Sequence, residues 1–397
     1  MKIGIYALWL RPGIVGGTES FLRALLQGIA AQDQTNEYVL FTAQDNDYSF
    51  SETDLWPNVT RHVCKVKNAS PAKRIAWENM FFDREVRASG VDLLYVPVYC
   101  KPRSAKGSVP YVVTIHDLQA LHYPEYFSAA RREFLKASWK QDCDTAARIV
   151  VISDYCLQDL KDHYPQVGDR ACRIYDPVLR GSDPASGQAL AAKRNTQEKY
   201  GLEEMGYDYC VSSLLPHKNL TTLLRSLAEQ KEDWKAGRGP EPVHLVLSGV
   251  GGDTERFERL LGDLHIRDLV SSTGFVSNEE RDALYDGCRL FLFPSLFEGF
   301  GIPPIEAMRR GKRVVMTDLS CLGEVTGGKA FYVAEPESPK AWTDRIAEAA
   351  KQAAEDALER ELSIGSSSAV CDFPEYDAEA IAAQYLELFE EVIRQNG

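Results

Sequence analysis

The stretch with the densest candidate chemistry runs from Arg289 to Met308, RLFLFPSLFEGFGIPPIEAM. Its apolar beginning reads as a buried parallel strand. Glu298-Gly299-Phe300-Gly301-Ile302 then reads as a loop, and Pro303-Pro304 as the first turn of a helix, where a missing N–H costs little. The free backbone N–H groups and positive dipole end of a helix start suit a diphosphate, and Gly299 and Gly301 remove side chains that would block its approach. Glu298 and Glu306 would repel a diphosphate if they faced it. Each is therefore expected to accept hydrogen bonds from vicinal hydroxyl pairs, which a sugar and a ribose both carry.

Other stretches carry weaker signals of the same kind. Ser212-Ser213-Leu-Leu-Pro-His217-Lys218-Asn219 follows a candidate strand and opens a candidate helix. An ammonium there would neutralise negative charge growing on a phosphate leaving group. Gly13, Gly16 and Gly17, followed by Thr18-Glu19, lie between the first strand and the first helix. His116 ends the apolar run Val112-Val-Thr-Ile, and Ser153 stands where a helix N-cap would. Gly249 and Gly251, and Gly274-Phe275-Val276, sit at the ends of two later strands.

These residues need elements that hold them, and the patterning supplies them. Short apolar runs alternate with longer amphipathic segments throughout, which predicts α/β architecture with parallel sheets. Strands are expected at 2–8, 38–42, 93–96, 109–115, 148–152 and 172–175, then at 208–212, 243–248, 269–273, 290–293, 313–316 and 330–333. A length of 397 residues exceeds what one core usually supports, ~250 to 300 residues. The Gly/Pro/Ser/Asp cluster between Leu179 and Ala191 suits a linker, so a boundary is expected near 180, with a second domain over 181–375. The segment 376–395 has the apolar spacing of an amphipathic helix and needs a surface to cover.

Bulk properties exclude some function classes. With 44% apolar and 26% charged residues the chain has an ordinary globular composition. A net charge of −13 argues against a general nucleic-acid binder. Residues 1–180 hold 22 Lys+Arg against 21 Asp+Glu and the remainder 23 against 37, so the acidity is expected in the second half. Nine cysteines without a CxxC pair suggest neither a disulfide framework nor a zinc site. No apolar run reaches the ~20 residues of a membrane span, so a cytoplasmic protein is expected, at most peripheral to the inner face of a membrane.

Taken together, these motifs resemble the retaining glycosyltransferases of family four. Glu298 and Glu306 match that family's E-x7-E signature, and SSLLPHKN its G-[TR]-L-x-P-x-K-N segment. T-I-H-D-L at 114–118 and Y-P-E-Y-F at 123–127 match two further family segments. The resemblance implies a GT-B fold, two Rossmann-like domains facing across a cleft, with 376–397 returning to the N-terminal, acceptor-side domain. It implies Glu298 at the donor sugar, Glu306 at the ribose, Lys218 at the diphosphate and His116 at the sugar's edge. Gly16 and Gly17 would face phosphate and acceptor, while Gly249, Phe275 and Val276 would line the nucleobase pocket. Glu298, His116 and Lys218 are thus the expected catalytic set, and no metal or other cofactor is implied. The similar enzymes build bacterial surface polysaccharides such as lipopolysaccharide O-antigen, often from GDP-mannose, on glycan or lipid-linked glycan acceptors.

The chain also departs from the family. An Arg usually stands where Ser213 or His217 stands, so a second phosphate clamp would be a protonated His217 or an Arg from elsewhere, or the leaving group is held less tightly. Tyr175-Asp176-Pro177-Val178 replaces N-G-V-D at the linker. Rival readings are a metal site at Asp45-Asn46-Asp47, a membrane-facing helix at 125–140 with Phe127, Phe134, Trp139, Arg131 and Arg132, a sugar-nucleotide epimerase, and a non-catalytic sugar-nucleotide-binding subunit.

Overall fold

The computed structural model describes residues 1–13, 16–98, 109–251, 254–362 and 371–396, and for 357–362 the backbone alone. The chain divides into two compact units, one of 1–179 with 374–397 and one of 180–373.

In the first unit seven strands form one parallel sheet: β1 Lys2–Tyr6, β2 Glu37–Ala43, β3 Val59–Cys64, β4 Leu93–Val96, β5 Tyr111–Ile115, β6 Arg148–Val151 and β7 Ala171–Arg173. Their order is β3-β2-β1-β4-β5-β6-β7. The strands missing from the expected set reduce to one, β3, whose residues are half-exposed along most of its length because it is the sheet edge. Its V-T-R-H-V-C therefore lacks the continuous apolar run that betrays a central parallel strand.

The C-terminal helix Ala378–Asn396 lays Ile381, Ala382, Tyr385, Leu388, Phe389 and Val392 against Phe21, Leu22 and Leu25 of the helix Gly17–Gln32 and against Tyr95 of β4. The two helices touch at Gly28, where any side chain would run into the Ala378 carbonyl at 2.2 Å. This return redistributes the charge. The first unit holds 22 Lys+Arg against 27 Asp+Glu and the second 23 against 31, so both are acidic and the expected concentration in the second half disappears.

The second unit has six parallel strands: β8 Tyr207–Val211, β9 His244–Ser248, β10 Val270–Gly274, β11 Leu290–Phe293, β12 Arg313–Thr317 and β13 Phe331–Val333. Their order is β10-β9-β8-β11-β12-β13. Strand order reverses between β8 and β11 here, and between β1 and β4 in the first sheet. Crevices beyond the carboxyl ends of such strand pairs are where doubly wound sheets bind ligands.

Candidate functional site

In the second unit the loops leaving β8 and β11 are stitched together by one carbonyl. His217 O accepts from Leu296 N at 2.7 Å and from Ser295 Oγ at 3.3 Å. The chain turns sharply through Pro216–Lys218 and passes Asn219 in the left-handed region, φ 50°, before the helix Leu220–Lys235 begins. Asn219 is pinned by its amide to Pro336 O at 2.8 Å. This joining places Lys218 Nζ 2.6 Å from Glu298 Oε1, so two residues eighty positions apart meet at the switch point.

The glycine loop itself is held from below. Glu298 N donates to Ser320 Oγ at 3.1 Å, and Cys321 Sγ donates to the carbonyls of Glu298 and Phe300 at 3.3 and 3.1 Å. Gly301 sits at φ 103°, and a side chain there would reach Leu322 Cδ2 at 2.8 Å. Phe300 is buried, so only its backbone is offered to a ligand, while Gly299 and Ile302 remain partly open beside the helix start. Lys218 lies 5.9 Å from the Phe293 ring centroid and is partly exposed, as is Glu298.

Glu306 stands apart from that pair. It projects from the first full turn of the helix Ile302–Arg309 toward the helix Asn278–Gly287, where Arg281 lies 3.0 Å from Oε1 and the Tyr285 hydroxyl donates to Oε2 at 3.0 Å. Burial raises its pKa above the ordinary carboxylate range, opposed by the Arg281 charge and the Tyr285 hydrogen bond. Gly249, at φ 85°, brings the end of β9 close to Ser212, whose carbonyl would lie 2.9 Å from any side chain there. Its N–H donates to Gly274 O at 2.9 Å. Phe275 is 77% exposed and its ring lies over Gly251, with Val276 half-buried beside it.

His217 does not supply a second charge. Burial, and then the neighbouring Lys218, push its pKa down to about 4 against the pull of Glu298, so the imidazole is neutral at pH 7. Ser213, four residues earlier in the same loop, is half-buried. Arg281 and Arg310, on the two helices flanking the glutamate pair, are committed to carboxylates, Arg310 to both Asp282 and Asp286.

The first unit carries its own constellation at the carboxyl ends of its strands. His116, directly after β5, is buried, with Nε2 2.8 Å from Pro97 O after β4 and the Phe21 ring edge-on at 4.8 Å. Burial holds its pKa down to about 4, so Nε2–H donates to the carbonyl and Nδ1 keeps its lone pair. Nδ1 lies 4.0 Å from Asp176 Oδ1, a buried carboxyl pushed well above the usual range. Gly16, at φ 63°, and Gly17 open the 16-residue helix Gly17–Gln32 with open space where side chains would stand. Ile14 and Val15 of the same loop, and Gly252 beside Gly251, lie outside the described residues.

Two rival sites are absorbed by structure. Asp45 accepts from Asn68 N and Ala69 N, Asn46 donates to Ala7 O and Leu10 O, and Asp47 pairs with Thr42 and Arg61, so the D-x-D carboxylates hold the chain rather than pointing at solvent together. In the helix Ala129–Thr145, Leu135 and Trp139 are buried, and Lys136 and Lys140 pair with Glu133 and Asp144. That helix packs Leu135 and Trp139 inward and keeps Arg131 exposed, over the Phe134 ring. Spacing does not single out Arg281, Tyr285 and Ser320, which reach Glu306 and Glu298 in the second unit, or Asp176, which lies by His116 in the first, since each stands on a stretch whose own pattern is ordinary.

Two parallel, doubly wound units, each with loops gathered at its own switch point, are the architecture of the GT-B glycosyltransferases. Solved structures of that class share the fold. WaaG, a glycosyltransferase of lipopolysaccharide biosynthesis, superposes with a TM-score of 0.69 at 15% identity, covering 97% of this chain and 99% of WaaG. HepE from Anabaena, bound to UDP and glucose, gives 0.67 at 18% identity, covering 98% and 99%. Residues 15–178 match the model for Glycosyltransferase Family 4, and 193–362 that for Glycosyl transferases group 1. The chain belongs to glycosyltransferase family four.

Among its relatives, O-antigen chain mannosyltransferase B of Escherichia coli is 29% identical over 236 residues, 59% of this chain and 60% of that protein. The serotype-specific mannosyltransferase WbdA of E. coli is 30% identical over 341 residues, 80% of this chain and 39% of WbdA, and another WbdA reaches 51% over 186 residues, 22% of its length. The chain thus spans about 60% or less of the curated relatives named here.

Proposed function

We propose that this protein moves a hexose, mannose from GDP-mannose in the first instance, from a nucleotide diphosphate to a hydroxyl of a glycan or lipid-linked glycan in surface polysaccharide synthesis. The observation that supports this best is the Lys218–Glu298 pair at the β8/β11 switch point. It sets a cation for the leaving diphosphate beside a carboxylate for sugar hydroxyls, next to the positive dipole end of the helix Ile302–Arg309. The sugar is inferred from the mannosyltransferase relatives.

Transfer proceeds with retention and without a metal. The bond from the anomeric carbon to the phosphate oxygen breaks as the acceptor oxygen bonds to the same face, and the acceptor proton passes to the departing phosphate. Lys218 carries the charge that develops there. Thermal-shift screening against GDP-, UDP- and dTDP-sugars tests the reading, because a donor at ~100 times its dissociation constant adds about 2.7 kcal/mol of stability. Stabilisation by none of them, or a product of inverted anomeric configuration by NMR, overturns it. Full activity in excess chelator is expected.

Association with the inner face of a membrane belongs to the same proposal, through a surface other than the helix 129–145. Among the described residues no helix is long and apolar enough to cross a membrane. A continuous helix over 71–89, with a π-turn at Glu78–Phe82, turns Glu78, Phe82 and Val86 inward and Lys73, Met80 and Arg84 outward, with Trp77 half-buried. Met80 is 66% exposed, Phe81 stacks obliquely on Trp77, and cations stand at both ends of the stripe, which suits an anionic surface.

A further inference from the structure

The helices Asn278–Gly287 and Ile302–Arg309 face each other through two charged rungs, and the rungs differ. In one, Arg310 is shared by Asp282 and Asp286, and Asp282 also accepts from Ser182 N. That rung is closed by two carboxylates and by Ser182 O, to which Arg310 also donates at 3.3 Å. In the other, Arg281 and Tyr285, one helical turn apart on the same face, take one oxygen each of Glu306.

This second rung is left incomplete in two ways. A carboxylate accepts about four hydrogen bonds; Glu306 takes one, from the Tyr285 hydroxyl on Oε2, while Oε1 is held by the Arg281 charge at 3.0 Å. On the other side, Arg281 Nε is buried with no partner among the described residues, so the guanidinium stands where it is despite an unmet donor. A rung selected for stability alone would have filled both.

We propose that Arg281 is a positioning residue for nucleotide recognition: with Tyr285 it fixes the Glu306 carboxylate so that one lone pair on each oxygen is left for the vicinal 2′- and 3′-hydroxyls of a ribose. The inference rests on the reading of Glu306 as the ribose residue. It goes further in assigning the geometry of that contact to a residue on a different helix. Arg281 also supplies the counter-charge that opposes the burial of Glu306. Without it the carboxyl takes up a proton as pH falls, and a protonated carboxyl no longer accepts from both hydroxyls.

Calorimetric titration of the full chain with GDP, and with UDP in parallel, tests this. Arg281→Met is expected to weaken binding about tenfold at neutral pH, the scale of the coupling between contacting charged residues. It is expected to weaken it more at acidic than at neutral pH, with a steeper fall than in the wild type, where the Arg281 charge opposes protonation of Glu306. Arg281→Lys is expected to restore the wild-type pH profile without the full affinity, because it returns the charge but not the planar guanidinium. In a Glu306→Gln background, Arg281→Met is expected to change affinity less than about twofold, as coupled residues do. Tyr285→Phe, which keeps the packing, is expected to weaken binding less than Arg281→Met does.

Wild-type affinity in a folded Arg281→Met protein at both pH values would overturn the inference, and so would an equal loss in the Glu306→Gln background. If Glu306→Gln itself leaves affinity for both nucleotides unchanged, the ribose reading is what has failed.

Discussion

Lys218 and Glu298 neutralise each other in the ligand-free protein, and that contact has consequences for single substitutions. A diphosphate competes with Glu298 for the ammonium, so binding must loosen or share the 2.6 Å pair. Glu298→Gln should therefore leave GDP affinity equal or slightly higher while lowering turnover by about 100-fold or more, since contacts made to the reacting sugar are lost. Lys218→Ala should weaken GDP by roughly 10-fold. Calorimetry beside steady-state rates separates the two, and equal losses of GDP affinity would refute the division. His217 gives a second test. Its pKa is lowered to about 4, so it stays uncharged as pH rises from 6 to 8, and the ratio of wild-type to His217→Gln affinity for GDP should be constant over that range. A ratio that grows toward pH 6 would mean that the imidazole takes up a proton to hold phosphate.

Elements explain both what could be read from the residues and what could not. Central parallel strands such as Leu290–Phe293 are buried on both faces and appear as plain apolar runs, and the loops that follow them carry their chemistry in consecutive residues. Edge strand β3 was invisible because half of it faces outward, and the Arg281–Glu306 rung because its partners lie on separate helices with unremarkable spacing. The membrane-facing reading of 125–140 meets a related difficulty. Aromatic and basic residues at helical spacing do not say which face is turned inward, and there Trp139 is buried. The helix over 71–89 has the opposite orientation, so its test is a comparison of the two. Flotation with vesicles containing anionic lipid should be lost in a Lys73→Glu/Met80→Glu/Arg84→Glu protein and kept in an Arg131→Glu/Arg132→Glu protein, since each cation near such a surface contributes about 1 kcal/mol. Flotation lost only in the second would return the surface to 129–145.

At the scale of the whole molecule the chain's last segment completes the unit that its first residues begin. The helix Ala378–Asn396 supplies six buried side chains to the first unit's core, and the Tyr385 hydroxyl bonds to Thr114 one residue before Ile115 and two before His116. Lys218, Glu298 and Glu306 belong to the other unit, which has a separate apolar core around Leu223, Leu247, Leu292 and Trp342. Charge buried at Tyr385 and Phe389 should therefore damage one unit and spare nucleotide recognition in the other. A Tyr385→Asp/Phe389→Asp protein is expected to lose transfer, because burying unpaired carboxylates costs several kcal/mol of the first unit's stability. It should still show a melting transition that GDP moves upward, since a ligand stabilises the structure that binds it. Calorimetric scans with and without GDP read both effects at once. Loss of the GDP-dependent transition would mean that the units do not fold independently, and that the returning helix supports the nucleotide site as well as the sheet it covers.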